Sequence, residues 1–105
     1  MTAIEHILKD TVTALKSAQR QIERLTQKQS ELESLLNDGI SDKQTENITY
    51  EISLIESQIS YWDGISFQSE CTLRTIAREK LDMTNPTENM IDDAVNEFLE
   101  EEDAA

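Results

Sequence analysis

The feature that most constrains this chain is an apolar repeat that runs through its first 36 residues at alternating steps of four and three. Seven of its ten positions are Ile or Leu. A heptad sustained over more than four repeats is typical of a long helix that packs along one seam, as in a coiled coil. We therefore predict a helix over residues 2–37. The repeat positions are Ile4, Leu8, Thr11, Leu15, Ala18, Ile22, Leu25, Gln29, Leu32 and Leu36.

The sequence Asp-Gly-Ile-Ser occurs twice, at 38–41 and 63–66, and holds the only two glycines of the chain. In the first copy, Gly39 suits the left-handed conformation that often ends a helix. Ser41 and Gln44 have the spacing of a capping box, which starts the next helix. A helix end followed at once by a helix start predicts a turn at 38–41 that joins two antiparallel helices.

The second copy lacks a capping box, since Ser69 stands where Glu or Gln is needed, and apolar spacing resumes directly after it. We predict that a helix over 42–82 continues through Gly64, which permits a kink or the close approach of another helix. The alternative is a turn at 63–66, which would replace the hairpin with a compact bundle.

The second helix repeats the spacing of the first, so the two should share one seam. This predicts an all-α fold: a long, coiled-coil-like antiparallel hairpin over 1–83. A short acidic helix and tail are predicted over 84–105, with Pro86 near the helix start, because proline favours that position. The residues that we expect to hold this hairpin, or a dimer, together are Ile4, Leu8, Leu15, Ile22, Leu25, Leu32, Ile52, Ile55, Ile59 and Trp62.

Negative charge accumulates toward the C-terminus. The whole chain carries a net charge of −13, but its first 36 residues are balanced, and residues 84–105 hold eight acidic residues and no basic one. Binding to a phosphate backbone depends on Lys and Arg, so direct nucleic-acid binding is not expected. We expect a protein partner with a basic surface.

The C-terminal helix has an apolar stripe and an acidic opposite face, which leaves three interpretations open. The stripe docks on the hairpin and the acids serve solubility; or the stripe itself enters a groove on a partner; or the carboxylates imitate phosphates, as in phage-type inhibitors of DNA- or RNA-binding proteins. The candidate partner-binding residues are Met90, Ile91, Asp92, Asp93, Val95, Glu97, Phe98, Leu99 and Glu100.

Basic residues recur on the side of the first helix away from its seam. They form either a solvated face or a surface that receives the acidic tail of the same chain or of a neighbour. The second interpretation favours a homo-oligomer, which we expect for a chain this short. The residues are Lys9, Lys16, Arg20, Arg24 and Lys28.

No catalytic or metal-binding motif is present. His6 and Cys71 are the only residues of their types, and a Cys–His nucleophile pair would also need an orienting group and an oxyanion hole. We therefore expect no enzymatic activity, no cofactor and no metal. One cysteine, no secretion signal and no long apolar run favour the reducing cytoplasm and no membrane insertion.

The sequence thus predicts a non-enzymatic protein–protein interaction module: an adaptor, an assembly factor or an inhibitor. The alternative function is that of a nucleic-acid mimic that blocks a DNA- or RNA-binding protein.

Overall fold

The computed structural model describes residues 2–104, with side chains as far as Glu101. It contains α1 (Ala3–Leu36), α2 (Asp42–Leu81) and α3 (Glu88–Ala104). Of the described residues, 88% are helical and none lies in a strand. Helices α1 and α2 pack against each other as a hairpin, and α3 is the short C-terminal helix. The predicted fold class is confirmed.

Each helix begins at a hydroxyl residue that satisfies otherwise unpaired backbone amides. The Gln44 amide donates to Ser41 Oγ at 3.3 Å, and the Ser41 amide donates to Gln44 Oε1 at 3.2 Å, which completes the predicted capping box. Helix α1 has a second box, in which the Glu5 amide donates to Thr2 Oγ1. Helix α3 starts in a simpler way, with the Met90 amide donating to Thr87 Oγ1 at 3.2 Å.

The hairpin turn lies at the first glycine. Helix α1 closes with two short-range hydrogen bonds, from the amides of Asn37 and Asp38 to the carbonyls of Ser34 and Leu35, both at 3.2 Å. Gly39 then adopts a φ of +72°, in the left-handed region that residues with a Cβ avoid. The first Asp-Gly-Ile-Ser copy therefore reverses the chain, and it needs glycine for its backbone.

The second glycine lies within a helix. Helix α2 runs from Asp42 to Leu81 without interruption, and the only glycine with a positive φ is Gly39. A Cβ built at Gly64 meets no atom within 4 Å. The compact-bundle alternative is thus not the fold of this chain. The close helix approach that we considered at Gly64, beside a kink, is not seen among the described residues, since a Cβ there would meet none of their atoms within 4 Å.

The two glycines should respond in opposite ways to replacement by alanine. Gly39→Ala should lower the free energy of unfolding by about 1–2 kcal/mol, since the left-handed conformation strains an L-residue. Gly64→Ala should raise it by about 0.5–1 kcal/mol, because alanine is the better helix former and has room there. Urea unfolding followed by circular dichroism measures both. Equal changes for the two variants would contradict the assignment of the turn.

The linker from α2 to α3 turns at two residues with left-handed backbone, Asp82 (φ 46°) and Asn85 (φ 59°). Asp and Asn tolerate this conformation better than other residues with a side chain. The Asp82 amide donates to the carbonyls of Arg78 and Glu79, which closes α2. Pro86 follows and leads into α3, as its position in the sequence predicts.

The chain divides into two compact units. Unit 1 comprises Met1–Ser17 and Ile65–Ala105, and unit 2 comprises Ala18–Gly64. Unit 1 is a three-helix arrangement, and its core residues come from α1, α2 and α3. They are Val12, Leu15, Leu73, Ala77, Ile91, Ala94 and Phe98, with Leu8, Ile76, Leu81, Val95 and Leu99 packed against them.

Unit 2 is a two-helix arrangement with a thinner core. Ala18, Leu25 and Ile55 are buried. Other seam residues are half-buried, as expected where two helices shield one face only. They are Ile22, Leu32, Ile52, Ile59 and Trp62. The Trp62 indole packs edge-on against the Tyr61 ring, with the ring centroids 5.2 Å apart.

The predicted seam differs from the structure at the start of α1. Val12 is fully buried although it lies beside the seam, because a helix that contacts two neighbours in unit 1 needs a wider apolar stripe than a coiled-coil strand. Ile4, predicted to be a seam residue, is 54% exposed. It lies at the rim of a groove at the end of unit 1.

Candidate functional site

Helix α3 packs against α1 and α2 through its apolar stripe. Ile91 (1% exposed) and Phe98 (2% exposed) lie in the core of unit 1, and Ala94 joins them. We named Ile91 and Phe98 as candidates for binding a partner, but in this arrangement the core covers Ile91, and Phe98 keeps only a 2% exposed edge. Val95 and Leu99 pack against the same core. The stripe is thus used inside the chain, because α1 and α2 present an apolar surface to it.

Three cations from the other helices also contact α3. Arg74 of α2 donates to Asp92 at 2.6 Å and forms a second ion pair with Glu88. The Lys16 ammonium of α1 donates to the Leu99 carbonyl at 2.8 Å. The Lys80 ammonium of α2 lies 5.0 Å from the centre of the Phe98 ring, within the range of a cation–π contact.

The ion pairs of Arg74 with Glu88 and Asp92 attach the first turns of α3 to α2. The hydrogen bond to Asp92, with the attraction of Glu88, raises the pKa of Arg74 further above neutrality. No local pattern predicts this contact, since Asp92 lies 18 positions after Arg74 and beyond a turn.

The carboxylates on the outer face of α3 remain exposed. Asp93, Glu97 and Glu100 follow one another at steps of four and three, so they share one face of the helix. Met90 is 37% exposed. Of the predicted partner-binding residues, these four and Asp92 are the ones that α3 presents to solvent.

A groove of about 500 Å³ opens at one end of unit 1. We call it the end groove. Its walls come from all three helices, and its volume lies in the usual range for binding sites. It has apolar and charged residues in equal number. The apolar ones are Ile4, Leu8, Ile76 and Phe98, and the charged ones are Glu5, Glu79, Lys80 and Glu101.

The chemistry of the end groove fits a ligand that is both apolar and cationic. Phe98 is almost fully buried and Leu8 is half-buried, whereas Ile4 is more than half exposed. An apolar side chain that entered the groove would cover Ile4 and exclude water from it. Three carboxylates against one ammonium give the rim a net negative charge, which attracts Lys or Arg.

The two residues considered as a Cys–His nucleophile pair both lie at exposed positions. Cys71 is a free, exposed thiol, and His6 is exposed as well. Among the residues that the structure describes, no group of His, Cys, Asp and Glu is arranged to hold a metal ion. Over the same residues, no helix combines the length and hydropathy that crossing a bilayer requires.

The basic residues of α1 divide between two environments. Lys16 donates to the α3 backbone, so one of the five basic residues of α1 does contact the C-terminal helix of its own chain. Lys9, Arg20, Arg24 and Lys28 are exposed. Arg24 donates to the Gln21 side chain on the same helix at 3.0 Å.

Comparison with protein-family models, with curated proteins and with solved structures finds no match in any of the three. Function is therefore inferred from the residues and geometry of the chain itself.

Proposed function

We propose that this protein is a non-enzymatic interaction module that binds a basic, partly apolar segment of a partner protein in the end groove. The partner inserts an apolar side chain between Ile4 and Phe98, and its Lys or Arg residues pair with Glu5, Glu79 and Glu101. The outer carboxylates of α3 extend the acidic surface. The single cysteine suits a reducing compartment, which is where we expect the protein to act.

The observation that supports this proposal most is the combination of an exposed apolar side chain with an acidic rim in one concave site. Monomeric proteins expose scattered apolar residues routinely. Ile4, however, is 54% exposed within a concave site that also contains three carboxylates. A docked α3 supports the proposal as well, because Phe98 and Glu101 line the groove only while α3 is in place.

Capture from a lysate of the source organism tests the proposal with two matched variants. The rim variant replaces Glu5, Glu79 and Glu101 with Gln. The control variant replaces the exposed Glu31, Glu33 and Glu46 with Gln, so both lose three negative charges. Glutamine is also accepted in a capping box, so Glu5→Gln keeps the start of α1 intact.

We expect one protein to be captured by the wild type and by the control variant, but not by the rim variant, and to elute as salt rises. Equal loss of capture by both variants would show that only net charge matters, and equal retention would show that the rim carboxylates do not matter; either result would overturn the groove as the site. If the captured protein binds nucleic acid, and DNA or RNA displaces it from both the wild type and the control, mimicry is the function instead.

A further inference from the structure

A second surface, in unit 2, has a composition unlike the rest of the chain. Helix α2 carries three large exposed side chains on one face: Tyr50 (66% exposed), Leu54 (47%) and Tyr61 (64%). Ser57 and Gly64 lie on the same face, so the five positions follow steps of four, three, four and three. We call these five residues the aromatic stripe.

The aromatic stripe faces away from the hairpin. At about 100° per residue, its centre lies roughly 160° around α2 from the residues that face α1, such as Ile55 and Ile59. All five of its members are exposed. The stripe is therefore a second heptad on the back of α2, and its members stay exposed although Trp62 contacts the Tyr61 ring.

No charged residue interrupts the aromatic stripe, although 30% of the chain is charged. The neighbouring Asn47, Ser53 and Gln58 are uncharged as well. Depletion of charge and enrichment of tyrosine are the compositional signs of the centre of a protein interface. Solubility alone would favour charges on an exposed helix face.

No packing contact among the described residues requires glycine at position 64, since a Cβ there would meet nothing within 4 Å. Glycine inside a helix costs about 1 kcal/mol relative to alanine. A glycine on an exposed uncharged face gives a neighbouring helix room to approach closely. The second glycine thus fits a contact that the single chain does not contain.

We propose that the aromatic stripe binds the same stripe of a second copy of this chain, with the two α2 helices antiparallel. A two-fold axis at Ser57 sets Tyr50 of each copy against Gly64 of the other, so a large side chain meets a gap. Leu54 then lies beside Tyr61 of the second copy. A parallel pair would instead set Tyr50 against Tyr50 and leave an empty space between the two glycines.

The position of Glu51 is compatible with the antiparallel arrangement. Glu51 flanks the stripe, and in a parallel pair it would lie level with Glu51 of the second copy. In the antiparallel pair these two carboxylates are about 18 Å apart along the helices, at 1.5 Å per residue. That separation exceeds the screening length at physiological salt.

The area available suits a weak, reversible dimer. Tyrosine side chains bury about 150–250 Å² each when fully covered, so the exposed parts of Tyr50, Leu54 and Tyr61 supply roughly 300–400 Å² per copy. The polar neighbours along the same four to five turns bring the total for both copies to roughly 1,200 Å², the lower end for specific interfaces. The dimer uses a surface separate from the end groove and does not depend on the proposed function.

Sedimentation equilibrium of the full chain, from micromolar to millimolar concentration, measures the association. We expect the wild type to pass from monomer to dimer. Tyr50→Glu and Tyr61→Glu should each weaken the dimer by about tenfold to a hundredfold, as loss of a central aromatic contact does. Phe67→Glu is the matched control, because Phe67 is 67% exposed on α2 but lies off the stripe.

The Gly64→Gln variant shows whether Gly64 matters for packing in the dimer or only for the stability of its own helix. Glutamine is a good helix former, so the monomer should unfold at higher urea concentration, while the dimer should weaken by about tenfold or more. A wild type that is monomeric at every concentration would overturn the proposal. So would a Phe67→Glu effect as large as that of Tyr50→Glu, or a Gly64→Gln dimer as tight as the wild type.

Disulfide trapping tests the direction of the helices. In a Cys71→Ser background, Ser57→Cys should form a cross-linked dimer in air, because Ser57 faces itself across the axis. Ser53→Cys should not, because its two copies lie about 12 Å apart in the antiparallel pair, beyond the reach of a disulfide. Efficient cross-linking at both positions would mean a parallel dimer and would overturn the arrangement proposed.

Discussion

Replacing Phe98 with alanine is expected to lower the free energy of unfolding by about 3–5 kcal/mol, the usual cost of removing a buried phenylalanine. Phe98 is 2% exposed and lies among core residues from all three helices of unit 1. The variant also loses the cation–π contact with Lys80. Because small domains are stable by only about 5–15 kcal/mol, this loss should free α3 from its place before the rest unfolds.

Phe67→Ala is the matched control, since the same side chain is removed from a site that is 67% exposed. It should change the free energy of unfolding by no more than about 0.5 kcal/mol. Urea unfolding gives the two energies, and amide exchange in α3 shows which segment opens. Equal effects of the two variants would contradict the docked α3 and revive the interpretation in which its apolar stripe binds a partner.

Leu15→Ala is expected to cost about 2–5 kcal/mol, whereas Ile4→Ala should cost no more than about 0.5 kcal/mol. Both residues occupy the same heptad, but Leu15 is 1% exposed and Ile4 is 54% exposed. The same unfolding measurements compare the two variants. A large loss of stability in Ile4→Ala would mean that Ile4 is a packing residue, and the end groove would lose its exposed apolar side chain.

The hairpin could be predicted because its signals are local. A heptad, a glycine after the last turn and a capping box all lie within a few residues of the feature that they specify, and each is present in the structure. The end of α2 was predicted less closely: Asn85 and Pro86 lie in the linker, while Asp82 closes α2 after Leu81.

The candidate site could not be predicted, because its residues meet only after the three helices of unit 1 pack. Ile4, Ile76 and Phe98 are far apart in the sequence. The periodicity of α3 showed an apolar stripe but not what covers it, since an internal core and a partner's groove require the same pattern. The contacts of Arg74 and Lys80 with α3 favour docking of α3 within its own chain. Because both residues lie far from their α3 partners in the sequence, no local pattern predicts these contacts.

The aromatic stripe was difficult to predict from the sequence for a different reason. Its spacing is as regular as that of the seam, but tyrosine, serine and glycine are weaker signals than isoleucine and leucine. Gly64 became informative only when the structure showed that a Cβ at this position would meet no atom of the described residues within 4 Å.

The most direct test of the central claim, that the end groove is the binding site, is the footprint of the captured partner on this chain. Backbone amide shifts should be recorded with and without that partner. We predict that the largest changes map to the residues around Ile4, Leu8, Glu79 and Glu101, and that Ile4→Ala weakens binding without altering stability. Changes confined to the outer face of α3 or to the aromatic stripe, with the end groove unaffected, would contradict it.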